Sequence, residues 1–487
     1  MNSPWESVLV RKPLMSSRLI RISFAASGIA QGLIANGLSY FLLLYYSQVL
    51  GLDPALAGLA MMIALVFDAI SDPLVGAWSD RLRSRWGRRH PFLFASIVPI
   101  SVSYFFLWDA PTLSQWDLFI YLLSLTIVLR LSLTLHIVPY TALLPEITSD
   151  YEDRTRLMGL VTTGSYFAGT ALAVLMYAYW LADAPGEDPG SGILRQSGYI
   201  EANFIAACIV FLCLWISALG TFKRVRPLVL NESSKSAGSI ALRFRSLLTQ
   251  AKETFDDRNF VVMALSGLAG AMAMGTYAAL WAYMQTYFWG FRTEEMSVIL
   301  SSFLVAAVLA FMFVPLASKG REKKSVMIRL YLALVLVSIG PVVLHLNAWF
   351  PSRGSTTLFY TMIGFGMAEA MLTIMTAAIS GSMIADIVDA RAVATYRREE
   401  GLLLSVLSFI SKVSGGAGVW TGGFLLAYIN FPTETTAAEL PEQVLTELGW
   451  VYAIVLGAFH LMSIWALSLY RLNRAQHAEN INTLLAR

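Results

Sequence analysis

The sequence predicts an all-α polytopic membrane protein, and three observations lead to that prediction. Of its 487 residues, 56% are hydrophobic and only 14% are charged, whereas a soluble protein has about a quarter of its residues charged. The apolar residues come in blocks of about twenty or more, the length that crosses a ~30 Å hydrocarbon core as a helix. The first block is too long for a signal peptide and follows Arg11, Lys12, Arg18 and Arg21, so no cleavable signal is expected.

Twelve transmembrane helices are predicted. A polar connection, 223–256, separates an N-terminal bundle of six helices, 1–222, from a C-terminal bundle of six helices with its tail, 257–487. The halves echo each other, since the basic loop DRLRSRWGRRHP follows the second span and ASKGREKKS follows the eighth. Repeated halves around a midplane site are typical of secondary transporters. The predicted spans are 18–49, 55–81, 92–109, 115–144, 156–182, 200–222, 257–290, 295–318, 325–347, 354–386, 400–429 and 444–472.

Basic residues are concentrated on one side of the predicted membrane. If the N-terminus is cytoplasmic, the outer loops contain only Arg195, Arg292 and Arg353 among the basic residues. This bias predicts that both termini are cytoplasmic. The basic inner loops also suit contacts with anionic membrane lipids. Their distribution beside a membrane argues against binding to nucleic acid.

Two aspartates, Asp68 and Asp72, lie four residues apart in the second span. They share one helix face, about 6 Å apart along the axis, and would repel each other when both are ionised. Either one carboxyl takes up a proton or a cation binds between them. Oxygen ligands suit Na⁺ as well as H⁺, and without a His/Cys cluster no transition metal is expected. The alternative is a structural ion pair with Lys412 or Arg130.

Other polar residues inside the spans are candidates for a substrate cavity. Ionisable residues at this depth are functional candidates by default, but helix–helix hydrogen bonds explain uncharged ones equally well. Glu369 could be a second proton site, a hydrogen-bond acceptor for substrate, or the partner of Arg130. The candidates are Gln31, Asn36, Tyr40, Arg130, His136, Tyr140 and Glu369.

Charged residues near the predicted inner mouth are candidates for a gate. Asp80 and Arg81 end the second span, and Asp386 and Asp389 lie close to Arg398. Structural ion pairs are the alternative for all of them.

Three segments resemble the glycoside–pentoside–hexuronide:cation symporters, the melibiose permease group of the major facilitator superfamily. They are FDAISDPLVGAWSDRLRSRWGRRHP, VPYTALLPEIT and SMIADIVDARAVATYRREEGLLLSVLSFISKVSGG. The resemblance covers nearly the whole chain. It implies a major facilitator fold of two six-helix bundles around a central cavity.

The resemblance also implies roles for individual residues. The cation site of the family falls on Asp68, Asp72 and Thr134, and Ser71 stands where the family has an asparagine ligand, which favours H⁺ over Na⁺. Lys412 matches the functional lysine of the family.

The family's gate and sugar-binding positions correspond only in part. The inner-gate carboxylates match Asp386, Asp389 and Glu400. The residues that bind melibiose are not retained, and the arginine of the fifth span has no counterpart. Their positions hold Gly32, Ile137, Thr141 and Ala377.

The resemblance therefore implies a secondary active transporter that couples a cation, H⁺ or Na⁺, to a sugar or glycoside by alternating access. The alternative is the same fold carrying a lysophospholipid or another amphipathic solute. We expect no cofactor. We also do not expect enzymatic activity, because the sequence lacks a metal-ligand cluster, a nucleophile elbow and a phosphate-binding loop. We expect a monomer, because one chain contains both halves of the transport unit. We expect it to lie in a bacterial-type inner membrane.

Overall fold

The computed structural model describes residues 17–222, 254–395 and 400–486. Within them, twelve helices are long and apolar enough to cross a membrane, and no residue lies in a strand. Nearly all of the predicted connection 223–256 is outside the described residues. The helices are α1 (Arg18–Val49), α2 (Pro54–Arg81), α3 (His90–Trp108), α4 (Gln115–Ala142), α5 (Glu152–Trp180), α6 (Gln196–Phe222), α7 (Arg258–Phe288), α8 (Thr293–Ser318), α9 (Lys323–Leu346), α10 (Thr356–Thr395), α11 (Glu400–Tyr428) and α12 (Glu442–Ser468).

Local sequence signals set where several of these helices begin. Asp53 precedes α2, and its side chain accepts hydrogen bonds from the N–H groups of Ala55 and Leu56, at 2.8 and 3.1 Å. Asp257 does the same at the start of α7. Aspartate at this position satisfies backbone donors that have no partner inside the helix. The two capped helices therefore begin at defined residues.

The helices form two bundles of six. In the first, α1 packs on α5 and α6, and α4 packs on α2 and α3; in the second, α7 packs on α11 and α12, and α10 packs on α8 and α9. The bundles meet mainly along α2 with α11 and along α5 with α8. In the two-fold repeat, α2 corresponds to α8 and α11 corresponds to α5, so the two contacts between the bundles are equivalent to each other. The repeat seen in the loops is therefore also present in the packing.

Glycines allow the closest helix contacts, in equivalent places of both bundles. A Cβ atom on Gly28 or Gly32 of α1 would collide with the backbone of α5. A Cβ atom on Gly275 of α7 or Gly418 of α11 would collide with the backbone of the other helix of that pair. Small residues let membrane helices approach in this way. The glycine runs thus mark the α1–α5 and α7–α11 contacts.

Two features differ from the prediction. The tenth span was expected to end at residue 386, but α10 continues to Thr395. The last turns are polar enough to leave the apolar window, yet they contain no glycine or proline to end a helix. The predicted C-terminal tail contains a further helix, α13 (Arg474–Leu485), which begins with a capping box between Asn473 and Gln476 and packs on α10.

The bundles touch at one end of the molecule. We call this end, which carries loops 182–195 and 430–441, the acidic side, and the end that carries loop 82–89 and α13 the basic side. On the acidic side the amide of Gln48 donates to the carbonyl of Pro432 at 3.1 Å. The hydroxyl of Tyr166 donates to the carbonyl of Phe303 at 3.0 Å. These bonds join one bundle to the other, so the acidic side is closed.

Candidate functional site

Asp68 and Asp72 share a hydroxyl group from α4. The Oγ1 atom of Thr134 lies 2.7 Å from Oδ1 of Asp68 and 3.2 Å from Oδ1 of Asp72. A hydroxyl has one proton to donate, so it serves one carboxylate at a time. Asp68 is buried, with 5% of its surface exposed, while the Asp72 side chain is 28% exposed. The predicted cation site therefore has one buried and one accessible carboxylate.

Lys412 of α11 bridges the same two carboxylates. Its Nζ atom lies 3.0 Å from Oδ2 of Asp68 and 2.5 Å from Oδ2 of Asp72. The lysine side chain is 30% exposed. Because α2 belongs to the first bundle and α11 to the second, this pair joins the bundles through charge. The sequence had placed these residues 340 positions apart, and the fold brings them into contact.

Ser71 and Arg130 complete the surroundings of the pair. The hydroxyl of Ser71 donates to the backbone carbonyl of Asp68 at 3.0 Å and lies 3.2 Å from Oγ1 of Thr134. Arg130 lies one turn from Thr134 on α4 and interacts electrostatically with Asp68. Among the residues that the structure describes, however, Arg130 forms no hydrogen bond or ion pair. The group in direct contact is therefore Asp68, Asp72, Thr134, Ser71 and Lys412.

A family model matches residues 23–474, and its description is MFS/sugar transport protein. The chain belongs to this family. The match confirms the family predicted from the motifs around the second, fourth, tenth and eleventh spans. Members of this family are transporters, and twelve apolar helices make this one an integral membrane protein.

Several curated proteins are similar to this family member over nearly their whole length. An uncharacterized symporter from Synechocystis is 27% identical, covering 96% of both chains. An isoprimeverose transporter from Lactiplantibacillus pentosus is 23% identical, covering 94% of this chain and 89% of its own. A sodium-dependent lysophosphatidylcholine symporter from Danio rerio is 22% identical, covering 91% and 85%.

The fold is also that of solved transporters. The xylose transporter of Escherichia coli in its inward open conformation superposes with a TM-score of 0.59 at 12% identity, covering 96% of this chain and 99% of the other. At this identity the likeness concerns the fold alone. It confirms the predicted major facilitator fold.

Two of the substrate candidates in this transporter hold its own helices together. The ring nitrogens of His136 lie 3.1 Å from the hydroxyl of Ser27 and 3.2 Å from that of Ser96. The hydroxyl of Tyr140 donates to the carbonyl of Phe24 at 2.6 Å. His136 and Tyr140 are each only 1% exposed. This arrangement supports the helix-packing alternative for both.

Of the three candidates on α1, two form hydrogen bonds within that helix and one contacts the other bundle. Gln31 donates to the hydroxyl of Ser27 at 3.2 Å, and Asn36 donates to a backbone carbonyl of its own helix. Tyr40 instead contacts Trp281 of α7 edge to face, with ring centroids 5.7 Å apart. Tyr40 is therefore the α1 candidate that faces the other bundle.

Glu369 lies at a chamber inside the second bundle. The chamber is about 330 Å³, and Tyr277 lines it with Glu369. No ion pair joins Glu369 to Arg130 within the described ranges. This removes one of the three roles considered for Glu369 and leaves the proton and substrate roles.

The gate candidates form pairs within single bundles. Asp80 pairs with Arg89 at 3.6 Å. Asp386 pairs with Lys323 of α9 at 2.7 Å and lies 3.5 Å from His477 of α13. None of these contacts links the two bundles.

Of three further gate candidates, only the side chain of Asp389 is described by the structure. Asp389 forms no hydrogen bond or ion pair among the described residues. Arg398 and the side chain of Glu400 lie outside the described part of the chain.

Sequence reasoning missed the contact that closes the acidic side. Asp183 follows α5, and its side chain is fully buried. Its carboxylate accepts hydrogen bonds from the N–H groups of Gly190 and Gly192, both at 2.9 Å, in its own loop. It also accepts from the N–H of Thr293 at 3.3 Å and lies 3.9 Å from Arg292, both in the other bundle. One feature of the sequence could have pointed to this contact. Basic residues are rare in the loops of the acidic side, and Arg292 is one of the three that occur there.

Proposed function

We propose that this protein is a secondary active transporter that couples the entry of H⁺ or Na⁺ to the uptake of a sugar or glycoside. The observation that carries the proposal is the bridge from Lys412 to both Asp68 and Asp72 across the two bundles. Two carboxylates held by one ammonium form a site that another monovalent cation can take over. The names of the relatives, a symporter and an isoprimeverose transporter among them, support the same function.

Charge exchange explains how cation binding would release the bundles. When a monovalent cation replaces the ammonium of Lys412, the charge around the aspartates does not change. Lys412 is already partly exposed and can turn toward water. The exchange removes the charged contact between α2 and α11 while keeping the carboxylates neutralised. Cation binding therefore weakens the attachment of one bundle to the other at this point.

Alternating access would then depend on two contacts between the bundles: the Lys412 bridge inside the membrane and the Asp183 contact on the acidic side. We assign the moving bodies to residues 1–222 and 257–487, joined by 223–256. Substrate and cation must each increase the affinity for the other by the same factor, because coupling free energy is reciprocal. Breaking the contacts of Asp183 with α8 would open the acidic side once both are released.

The ligand atoms are compatible with both ions, Na⁺ and H⁺. Asp68, Asp72, Thr134 and Ser71 offer only oxygen atoms, which suit Na⁺, and a close pair of carboxylates also suits a shared proton. Ser71 replaces the asparagine that the resembling family uses, which favours H⁺. Driving uptake with each ion gradient separately decides between them.

We also propose an orientation and a membrane for the protein. The bias of basic residues supports a cytoplasmic basic side with both termini inside, and the membrane we propose is a bacterial-type inner membrane. Basic loops on that side suit contacts with anionic lipids. Because each chain contains both bundles, we propose a monomer as the transport unit.

The test is uptake into proteoliposomes containing the purified protein. Sugars and glycosides are supplied with an imposed H⁺ gradient or an imposed Na⁺ gradient, and lysophosphatidylcholine serves as the alternative cargo. The proposal predicts concentrative sugar uptake with one gradient and only equilibration without a gradient. Uptake of lysophosphatidylcholine but of no sugar would establish the alternative instead.

A further inference from the structure

The chamber beside Glu369 lies inside the second bundle, and none of the residues of the cation site lines it. Its walls come from α7, α9, α10, α11 and α12. Polar residues from all five helices line it, and the described lining contains one carboxylate, one histidine and no lysine or arginine. Its polar lining residues are Tyr277, Tyr331, Glu369, Thr373, Thr376, Ser380, Ser411 and His460.

Glu369 is without a protein partner that would neutralise it. Among the described residues it forms no ion pair, and its one side-chain hydrogen bond is with the phenol of Tyr277. Nδ1 of His460, which also lines the chamber, is buried and lacks a hydrogen-bond partner in the described part of the chain. Buried polar groups normally have partners. An unpartnered ring nitrogen and a carboxyl group without a basic partner, both lining one cavity, indicate that a ligand supplies further hydrogen bonds there.

The charge of the lining defines what that ligand can be. A carboxylate accepts hydrogen bonds from hydroxyl groups, and the Ser, Thr and Tyr hydroxyls can donate as well as accept. A sugar, which carries many hydroxyls of both kinds, matches this set. An anionic ligand would meet Glu369 without a basic residue to balance it. Uronates and phosphorylated compounds are therefore disfavoured by repulsion and desolvation.

The size of the chamber adds a second limit. Ligand pockets range over about 300–1,000 Å³, and this chamber, at about 330 Å³, is at the small end. A mono- or disaccharide is suited to a space of this size. The acyl chain of a lysophospholipid would not fit in this chamber and would have to extend outside it.

The chamber adjoins the coupling lysine through α11. Ser411 lines the chamber, and the next residue, Lys412, contacts the aspartates of the first bundle. A movement of α11 that accompanies release of Lys412 would therefore also move a wall of the chamber. This provides a direct mechanical connection between cation and substrate.

We propose that this chamber is the sugar subsite, and that Glu369 selects uncharged mono- or disaccharides over uronates. The inference rests on the proposed symport of a sugar and adds the substrate class and the residue that selects it.

The first test uses a matched pair of ligands, methyl β-D-glucoside and methyl β-D-glucuronide, with D-xylose, isoprimeverose and sucrose as further neutral probes. Binding is measured by thermal shift and by exchange in proteoliposomes. The wild-type protein should bind at least one neutral sugar and should bind the glucuronide at least about tenfold more weakly than the glucoside. In Glu369→Gln, affinity for the neutral sugar should fall about tenfold and discrimination against the glucuronide should shrink.

The second test fills the chamber without changing a polar group. Gly267 lines the chamber, and a Cβ atom there would meet no other atom within 4 Å. Gly267→Met should therefore fold but exclude disaccharides. Gly364→Met is the matched control, because Gly364 also has open space around it and is not among the residues that line the chamber.

The outcomes separate this inference from the proposed function. If the wild-type protein accumulates a sugar with an ion gradient while Glu369→Gln and Gly267→Met bind it as the wild type does, the subsite is wrong and the symport stands. Preference of the wild type for the glucuronide, or binding of none of the neutral probes, also overturns the subsite. If no ion gradient drives uptake of any probe, the proposed function fails.

Discussion

The two acidic regions of the membrane interior differ in how their charges are balanced. Asp68 and Asp72 lie between the bundles and are neutralised by Lys412 of the other bundle. Glu369 lies inside one bundle, lines a chamber and has no basic partner among the described residues. In the mechanism proposed above, a cation displaces the lysine of the first region, while the carboxyl group of the second, bonded only to Tyr277 within the described ranges, accepts a hydrogen bond from a sugar hydroxyl group. The comparison assigns coupling to the first region and selection to the second.

Replacing one carboxylate in each region should give opposite results, and this is the largest expected effect. In Asp72→Asn, a bound cation would leave an excess positive charge next to Arg130 once Lys412 is displaced. A charge inside the membrane costs at least about 2.5–3.5 kcal/mol, so cation affinity should fall roughly 100-fold. Gradient-driven uptake should be lost, while sugar exchange without a gradient persists.

Glu369→Gln is the counterpart of this variant. It should lose affinity for sugar and keep the cation dependence of whatever uptake remains. Measuring uptake and exchange side by side for both variants distinguishes the regions. If both variants lose the same function, the division of roles is wrong.

Removing the hydroxyl shared by the aspartates should have a smaller effect. Thr134→Val removes a donor to a carboxylate, a bond worth about 1.5–3 kcal/mol, so the cation affinity should fall by about tenfold or more. Thr134→Ser should retain most of the affinity. Thr141→Val is a control on the same helix, because the Thr141 hydroxyl donates only to its own helix. Equal cation affinity in the valine and serine variants at position 134 would contradict the role of Thr134.

The contact at Asp183 should affect opening of the acidic side by a few-fold. Only its contacts with Thr293 and Arg292 change when the bundles separate. Although Asp183 is buried, the pair with Arg292 is long, at 3.9 Å, and the Arg292 side chain is 40% exposed, so this pair contributes only about 0.2–1 kcal/mol. Asp183→Asn should therefore raise the open population up to about fivefold. Labelling of a cysteine placed on the acidic side measures this population. Glu187→Gln, in the same loop, is the control, and an equal increase there would argue against the contact.

The pair within the second bundle should have the smallest effect on transport. Lys323, Asp386 and His477 attach α9, α10 and α13 to one another. Because Asp386 is buried, Asp386→Asn should lower the free energy of unfolding by about 1.5–3 kcal/mol and leave the coupling of ion to sugar unchanged. The measurements are a melting curve and the ratio of ion to sugar taken up. A changed ratio would restore Asp386 as a gate residue.

The sequence was sufficient to predict the twelve helices, because length and apolarity decide them independently of tertiary contacts. It also predicted the residues that lie together around Asp68 and Asp72, whose role as a cation site stays a prediction. Asp68 and Asp72 share a face through helix periodicity alone, and Thr134 and Lys412 followed from the resemblance. Only the fold could show that the lysine contacts both aspartates at once.

The remaining differences have physical reasons. His136 and Tyr140 resembled substrate ligands because the sequence does not show that Ser27, Ser96 and a backbone carbonyl satisfy them. The role of Asp183 depends on a contact with the other bundle, which no local pattern reports. The chamber at Glu369 is formed by five helices, so its volume and its lack of a basic residue could be known only from the structure.

The most direct test of the central claim is the cation affinity of Lys412→Met compared with the wild-type protein. Isothermal titration with Na⁺, and with protons by pH titration, is carried out on both proteins and on Asp72→Asn, the variant whose cation affinity should be roughly 100-fold lower. If the cation competes with Lys412 for the aspartates, the methionine variant binds it more tightly than the wild type, while coupled transport is impaired. Equal cation affinity in all three proteins would show that the aspartate pair is a structural ion pair and not the coupling site.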